Sequence, residues 1–310
     1  MERVERALAR HVESEAPFVT EAARHLLDAG GKRFRPLLVL LAAETGSNPD
    51  SEDVITAASV VELTHLASLY HDDVMDEADL RRGAESANAR WDNHVAILTG
   101  DFLFSKSSEL TAELGDAAVR IQARTFTRLV EGQILETLGP GADDDPLQHY
   151  LRVVAGKTGA LIATSALYGA RFSRAPLEVE AALSEYGEKV GVAFQLSDDI
   201  LDVASDSHES GKTPGTDLRE GVPTLPVLLA QKSSSPRDAR LLELLGSDLG
   251  DDDRHAEALH LLRDHPALDD AREHVTALAR EAKSALKALP ESPARQALEA
   301  FADVVAERPA

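Results

Sequence analysis

The chain has 310 residues, 43% of them apolar and 4% aromatic, with 54 acidic against 32 basic residues for a formal charge of −22. That apolar share supports a sizeable core and excludes global disorder, while scarce aromatics and recurrent Ala and Leu favour helix over sheet. The charge excludes a general nucleic-acid binder, which must neutralise phosphates with Lys and Arg, and the lack of cysteine excludes disulfides and thiolate chemistry.

The N-terminal stretch MERVERALARHVESEAP is charged and lacks the apolar core of a signal peptide. Next comes Gly30-Gly31-Lys32-Arg33-Phe34-Arg35-Pro36, three cations beside a glycine turn, and then the apolar run 37–43, too short to cross a bilayer. A soluble cytoplasmic protein with no transmembrane segment is expected. Proline, which breaks helix interiors, is absent from residues 50–139 and again from 177–213, so the long helices belong there. Asp50 and Ser51 can cap the first, with Glu52 and Asp53 in its favourable first turn. Its body is apolar nearly all round, from Val54 and Ile55 to Leu66 and Leu69, which predicts a helix buried on most sides. It runs into LYHDDVMDEADLRRG. There Asp72 and Asp76 share a helix face, Asp73 sits about a quarter-turn away, and Arg81 and Arg82 come next.

A helical pattern covers 119–138, a polar loop 140–146, and Gly156-Lys157-Thr158 comes after it. The helix predicted over 177–203 carries FQLSDDILDV, where Asp198 and Asp202 repeat the four-residue spacing beside Asp199. A loop at 205–223 contains Gly211-Lys212-Thr213, and a break at 233–236 precedes helical patterns at 271–288 and 294–305. None of the breaks reads as an interdomain linker, and alternating strand patterns and Asn-Gly hairpin signals are missing. The expectation is one all-α domain over residues 1–310.

Carboxylates stacked on an apolar helix repel one another and are costly to bury, and a divalent cation relieves both problems. Mg²⁺ prefers hard oxygen ligands, typically one or two carboxylates together with water and substrate phosphate. A single such cluster in an acidic chain reads as a solvated face, as do Asp143, Asp144 and Asp145 in their polar loop. Two clusters of matched spacing, each interrupting an apolar helix, point to metal. The few basic residues lie beside glycines or beside these aspartates, a pattern suited to phosphate. The Gly-Lys-Thr triplets fail as nucleotide P-loops, because the required upstream glycines are Leu151 and Asp206 and no strand precedes either. A zinc hydrolase also fails: His65 and His71 are six apart, on different helix faces, and no HExxH occurs. Taken alone, His65 and Gln195 are as well explained as core or capping residues.

The ordered set GGKRFRP, DDVMDEADLRRG, GDFLFSKS, GKTGALIATS, FQLSDDILDV and GKTPGTDLREGVPTLP resembles the trans-isoprenyl diphosphate synthase (polyprenyl synthetase) family over nearly the whole chain. The resemblance implies an all-α helical bundle around a central apolar cavity, homodimeric, with Mg²⁺ as cofactor in three ions. It implies that Lys32, Arg35 and His65 bind isopentenyl diphosphate, with Arg82 assisting. Asp72 and Asp76, near Asp73, would hold two Mg²⁺ against the allylic diphosphate, which Arg81 also contacts. Asp198, with Asp199 and Asp202 nearby, would serve the third ion, and Lys157, Thr158, Gln195 and Lys212 would complete the allylic site. Val222 stands where many members carry a lysine, which puts one distal diphosphate contact in doubt. The reaction implied is ionisation of the allylic diphosphate, then attack of isopentenyl diphosphate, with Asp72, Asp76, Asp198 and Lys157 as its catalytic residues.

Product length depends on the wall upstream of Asp72. Ala67 and Ser68 are small, with Thr64 one turn further, and in the family small residues there resemble longer-chain enzymes. A long-chain product of about seven to ten isoprene units is expected, since one helix turn of about 5.4 Å matches roughly one unit. Such a product would call for transient membrane contact at release. The alternative is a geranylgeranyl or farnesyl diphosphate synthase, its floor supplied deeper by Phe126. A terpene cyclase would need neither the isopentenyl site nor a second cluster, and a non-catalytic partner subunit would be expected to lose aspartates or the Lys32 and Arg35 cations.

Overall fold

The structure, a computed structural model, describes residues 1–205 and 214–307. Helices α1 Glu2–His11, α2 Pro17–Asp28, α3 Phe34–Ala43 and α4 Glu52–Met75 precede a small hairpin, β1 Leu80–Arg81 and β2 Ala84–Glu85. Then come α5 Ala87–Arg90, α6 Asn93–Glu113, α7 Asp116–Leu138 and α8 Pro146–Val154, and a π-turn at Ala155–Gly159 that leads into α9 Ala160–Phe172. The remainder is α10 Leu177–Ala204, α11 Thr216–Arg219, α12 Leu225–Ala230, α13 Ala239–Leu245, α14 Asp252–Arg263, α15 Pro266–Ala285 and α16 Pro293–Ala306. Helix makes up 76% and strand 1%, so the class is all-α.

The long helices fall where proline is missing, and α4 begins at the expected cap. The Ser51 hydroxyl accepts the Val54 N–H at 3.3 Å, a cap worth about 1 kcal/mol. α15 starts earlier than the pattern at 271 suggests, because the His265 ring accepts the Ala267 N–H at 3.0 Å and Pro266 suits a first turn. Two elements correct the sequence reading. The loop at 205–223 holds α11, and a hairpin interrupts the proline-free stretch after α4. Arg82 (φ 55°) and Gly83 (φ 77°) both adopt the left-handed region that a two-residue turn between antiparallel strands requires.

Contacts gather the chain into two compact units, each assembled from three separate stretches. The first comprises Met1–Phe126, Leu161–Gly187 and Ala288–Arg295, and the second Thr127–Ala160, Glu188–Lys287 and Gln296–Ala310. In the first, α4 is central, packing most extensively on α6 and also on α3 and α1. Val54, Leu63, Leu66 and Tyr70 of α4 are fully buried. Tyr70 ties in α2: its hydroxyl donates to the Ala22 carbonyl at 2.5 Å and accepts the Leu26 N–H at 3.1 Å. In the second unit, α12 packs on α15 and α8. There α7 also presses against the π-turn so closely that a Cβ on Gly132 would lie 2.6 Å from the Lys157 nitrogen.

Candidate active site

α4 delivers Asp72 and Asp73 at its C-terminal end, and Asp76 is its C-cap. This is the electronegative end of the helix dipole, and no basic residue occupies the last turn, so three carboxylates gather where the local field disfavours them. α10 repeats the arrangement with Asp198, Asp199 and Asp202 near its end, again with no basic residue in the last turn. Hard oxygen donors at a negative helix terminus fit Mg²⁺. Among the described residues no group of three or more His, Asp or Glu side chains is placed to hold a metal ion.

Within each cluster the second aspartate behaves differently from its neighbours. Asp73 is 0% exposed and Asp199 4%, whereas Asp72, Asp198 and Asp202 are partly accessible and Asp76 is exposed. The next residue along a helix lies about 100° round the axis, and here that direction is the core side. The sequence pattern groups Asp73 and Asp199 with the metal ligands; the structure turns both towards protein partners. Asp73 Oδ1 accepts from Arg81 Nε at 2.5 Å, and its Oδ2 is buried without a hydrogen bond. Burial raises the Asp73 pKa, and Arg81 opposes that rise. Arg81 also approaches Asp76 at 3.8 Å, so its guanidinium lies across the first cluster. Asp199 accepts from the Tyr150 hydroxyl and, at 3.0 Å, from Gln195 Nε2. Desolvation pushes it up to about 6. Asp202 receives the Thr216 and Asp217 N–H groups at 3.2 and 3.1 Å and so caps α11.

The first unit also gathers the basic residues. Arg33 bonds Glu5 at 2.8 Å and the buried Glu62 at 3.1 Å. Arg82 donates to the carbonyls of Leu26, at 2.8 Å, and Gly30, with Glu62 3.8 Å away. Both arginines thus close the C-terminal end of α2, where positive charge is favourable. Gly31, at φ 129°, makes room: a Cβ there would sit 2.8 Å from the Arg82 guanidinium carbon. His65 is held well below its usual pKa by burial first, then by Arg35, Arg82, Arg81 and Arg33. It is therefore a neutral donor or acceptor inside a cationic cluster. Lys32 is exposed.

In the second unit the π-turn holds Lys157 and Thr158. Such single-turn insertions re-aim side chains and recur at functional sites. Lys157 pairs with Glu136 of α7 at 2.5 Å, and the Thr158 hydroxyl donates to Gln195 Oε1 at 3.0 Å. Val222 is exposed, and Lys212 lies outside the described residues.

The chain-length residues of α4 fall on two stripes. His65, Ser68, Leu69 and Asp72 form one that stays partly accessible. Thr64 and Ala67 are 0% exposed and face α6. Thr64 shares a hydrogen bond with Ser107 at 2.8 Å and accepts from Gln122 at 2.7 Å, and a Cβ on Gly100 would lie 3.1 Å from the Ala67 oxygen. Phe126 packs edge-on against Phe104 at 4.7 Å, and Phe104 against His71 at 5.5 Å. With Ser107, Thr111 and Gln122 the two phenylalanines line a cavity of about 190 Å³. Phe104, Glu62 and Tyr150, which contact Phe126, Arg82 and Asp199, were missed by sequence reasoning. Phe104 at least sits in GDFLFSKS, one turn after Gly100, but Tyr150 meets its partner 49 positions away.

The polyprenyl synthetase family profile matches residues 16–262. A nonaprenyl diphosphate synthase of Mycobacterium tuberculosis is 48% identical over 306 residues, spanning 99% of this chain and 91% of that protein. A dimethylallyltranstransferase of the same organism is 42% identical over 283 residues, covering 91% and 86%. Among solved structures, a geranylgeranyl pyrophosphate synthase from Corynebacterium glutamicum, complexed with calcium and isoprenyl diphosphate, superposes with a TM-score of 0.90 at 46% identity, covering 99% and 94%.

Proposed function

Because the chain belongs to the polyprenyl synthetase family, we propose that it adds isopentenyl diphosphate repeatedly to an allylic diphosphate primer, giving an all-trans polyprenyl diphosphate of about C35–C50. It is an enzyme that transfers prenyl groups. The observation that carries the reading is the repeated one: two long helices, each ending in a carboxylate cluster at its electronegative terminus.

Asp72 and Asp76 of α4 would hold Mg²⁺, as would Asp198 and Asp202 of α10; the calcium complex of a relative supports a divalent cation. Bound there, the metal supplies charge that stabilises the departing diphosphate. Arg81, already lying across the first cluster, binds the allylic diphosphate, and Lys157 leaves Glu136 to do the same. Lys32, Arg35 and the neutral His65 bind isopentenyl diphosphate, while Arg82 adds charge with its donors fixed on the backbone. The allylic C–O bond breaks, the isopentenyl double bond forms the new C–C bond, and pyrophosphate takes the proton lost. Ser68 sets the first limit on the growing chain. The long-chain reading rests on that small residue and on the nonaprenyl relative.

A C20 product is the second reading. It is favoured by the Phe104–Phe126 pair, which can floor a shorter cavity. We further infer a cytoplasmic homodimer, supported by the exposed apolar stripe of α7 and by the lack, among the described residues, of a helix able to cross a membrane. Incubating the purified chain with isopentenyl diphosphate, Mg²⁺ and allylic primers of increasing length, then separating products by chromatography, tests the function. Products in the C35–C50 range are expected; an end point at C15 or C20 would overturn the long-chain assignment, and no Mg²⁺-dependent incorporation would overturn the enzyme reading.

A further inference from the structure

Four side chains of the second unit form one hydrogen-bonded line. The Tyr150 hydroxyl of α8 donates to Asp199 Oδ2, Gln195 Nε2 donates to Asp199 Oδ1 at 3.0 Å, and the Thr158 hydroxyl donates to Gln195 Oε1 at 3.0 Å. Thr158 and Asp199 are buried, at 8% and 4% exposure, while Tyr150 and Gln195 are partly accessible.

The direction of each bond is dictated by the one before it. The Gln195 amide turns its NH₂ towards the Asp199 carboxylate and its oxygen towards the Thr158 hydroxyl. That oxygen accepts only, so the Thr158 proton is committed to it. A threonine hydroxyl is otherwise a free rotor that can donate or accept. Here it has only lone pairs left to offer. Lone pairs repel a diphosphate oxygen and attract carbon that carries positive charge, so Thr158 suits the allylic carbon better than the leaving group.

We propose that Tyr150 is a positioning residue for prenyl transfer, fixing the Thr158 hydroxyl as an acceptor through Asp199 and Gln195. The proposal rests on the reading that puts Thr158 in the allylic site. Without the phenol, Asp199 Oδ2 is left without its donor and the carboxylate turns, carrying Oδ1 out of line with the Gln195 amide. The amide of Gln195 then loses its reference, both of its orientations become accessible, and the Thr158 proton is free to face the reacting carbon.

The test is a double-mutant cycle on the full chain with Tyr150→Phe, Thr158→Val and the pair, measuring kcat and both KM values with Mg²⁺. Tyr150→Phe should lower kcat about tenfold, the scale of a hydrogen bond to a charged group, and leave the KM for isopentenyl diphosphate unchanged. Because both residues act at one oxygen, the double variant should lose no more than Thr158→Val alone. Losses that multiply, or a wild-type kcat in Tyr150→Phe, overturn the proposal. A wild-type kcat in Thr158→Val instead overturns the placement of Thr158, and the proposal falls with it. A readout independent of turnover is the side-chain amide NMR signal of Gln195. It should shift in Tyr150→Phe while the fold is retained, and an unmoved signal is a second way for the idea to fail.

Discussion

Ala67 and Ser68 are neighbours in sequence, yet a larger side chain meets different surroundings at each. Ser68 shares the partly accessible stripe of Asp72, whereas Ala67 is buried against Gly100 of α6. Ser68→Phe should therefore shorten the product by one or more isoprene units at little cost in stability, read by product chromatography and thermal melting. Ala67→Phe must first displace α6, an overpacking cost of about 1–3 kcal/mol, and should lower Tm as well as product length. An unchanged product from Ser68→Phe would show that the wall lies elsewhere, with Phe104 and Phe126 next in line. The aspartates were legible because four-residue spacing places them on one face whatever the surroundings. Which member of each cluster turns inward was not legible, since that depends on Arg81 and Tyr150, partners that no local pattern reveals.

Helices were readable from proline spacing and caps, because a broken backbone bond or a satisfied N–H is a local matter. The π-turn and the hairpin were not, because hydrogen-bond register leaves no trace in hydrophobic period and two-residue strands are too short to alternate. The π-turn depends on close approach. A Cβ at Gly132 would lie 2.6 Å from the Lys157 nitrogen, a backbone atom that cannot swing aside. Gly132→Ala would gain helix propensity in α7, about 1 kcal/mol, and lose more by pushing the turn away. The expected outcome is a net fall in Tm and a fall in kcat, because Lys157 and Thr158 move with the backbone. A variant more stable than the parent with full activity would contradict this account of the turn.

At the scale of the molecule, α7 shows Val130, Ile134 and Leu138 exposed at four-residue intervals, with Ile134 at 52% and Leu138 at 74%. A stripe of this kind is what a subunit interface leaves on an isolated chain. Light scattering should report a dimer for the native protein, and Ile134→Glu, which places a charge in the stripe, should yield monomer. A monomeric native protein would sink the dimer reading. The two interleaved units have a consequence for synthesis. Each is completed only by its last stretch, Ala288–Arg295 for one and the segment from Gln296 for the other. A nascent chain that emerges from N to C therefore cannot finish either unit until almost all of it has left the ribosome. The helices that cover α4, namely α1, α3 and α6, are all made by Glu113, so that buried helix gains its shelter early and it is the second unit that waits for the end of the chain.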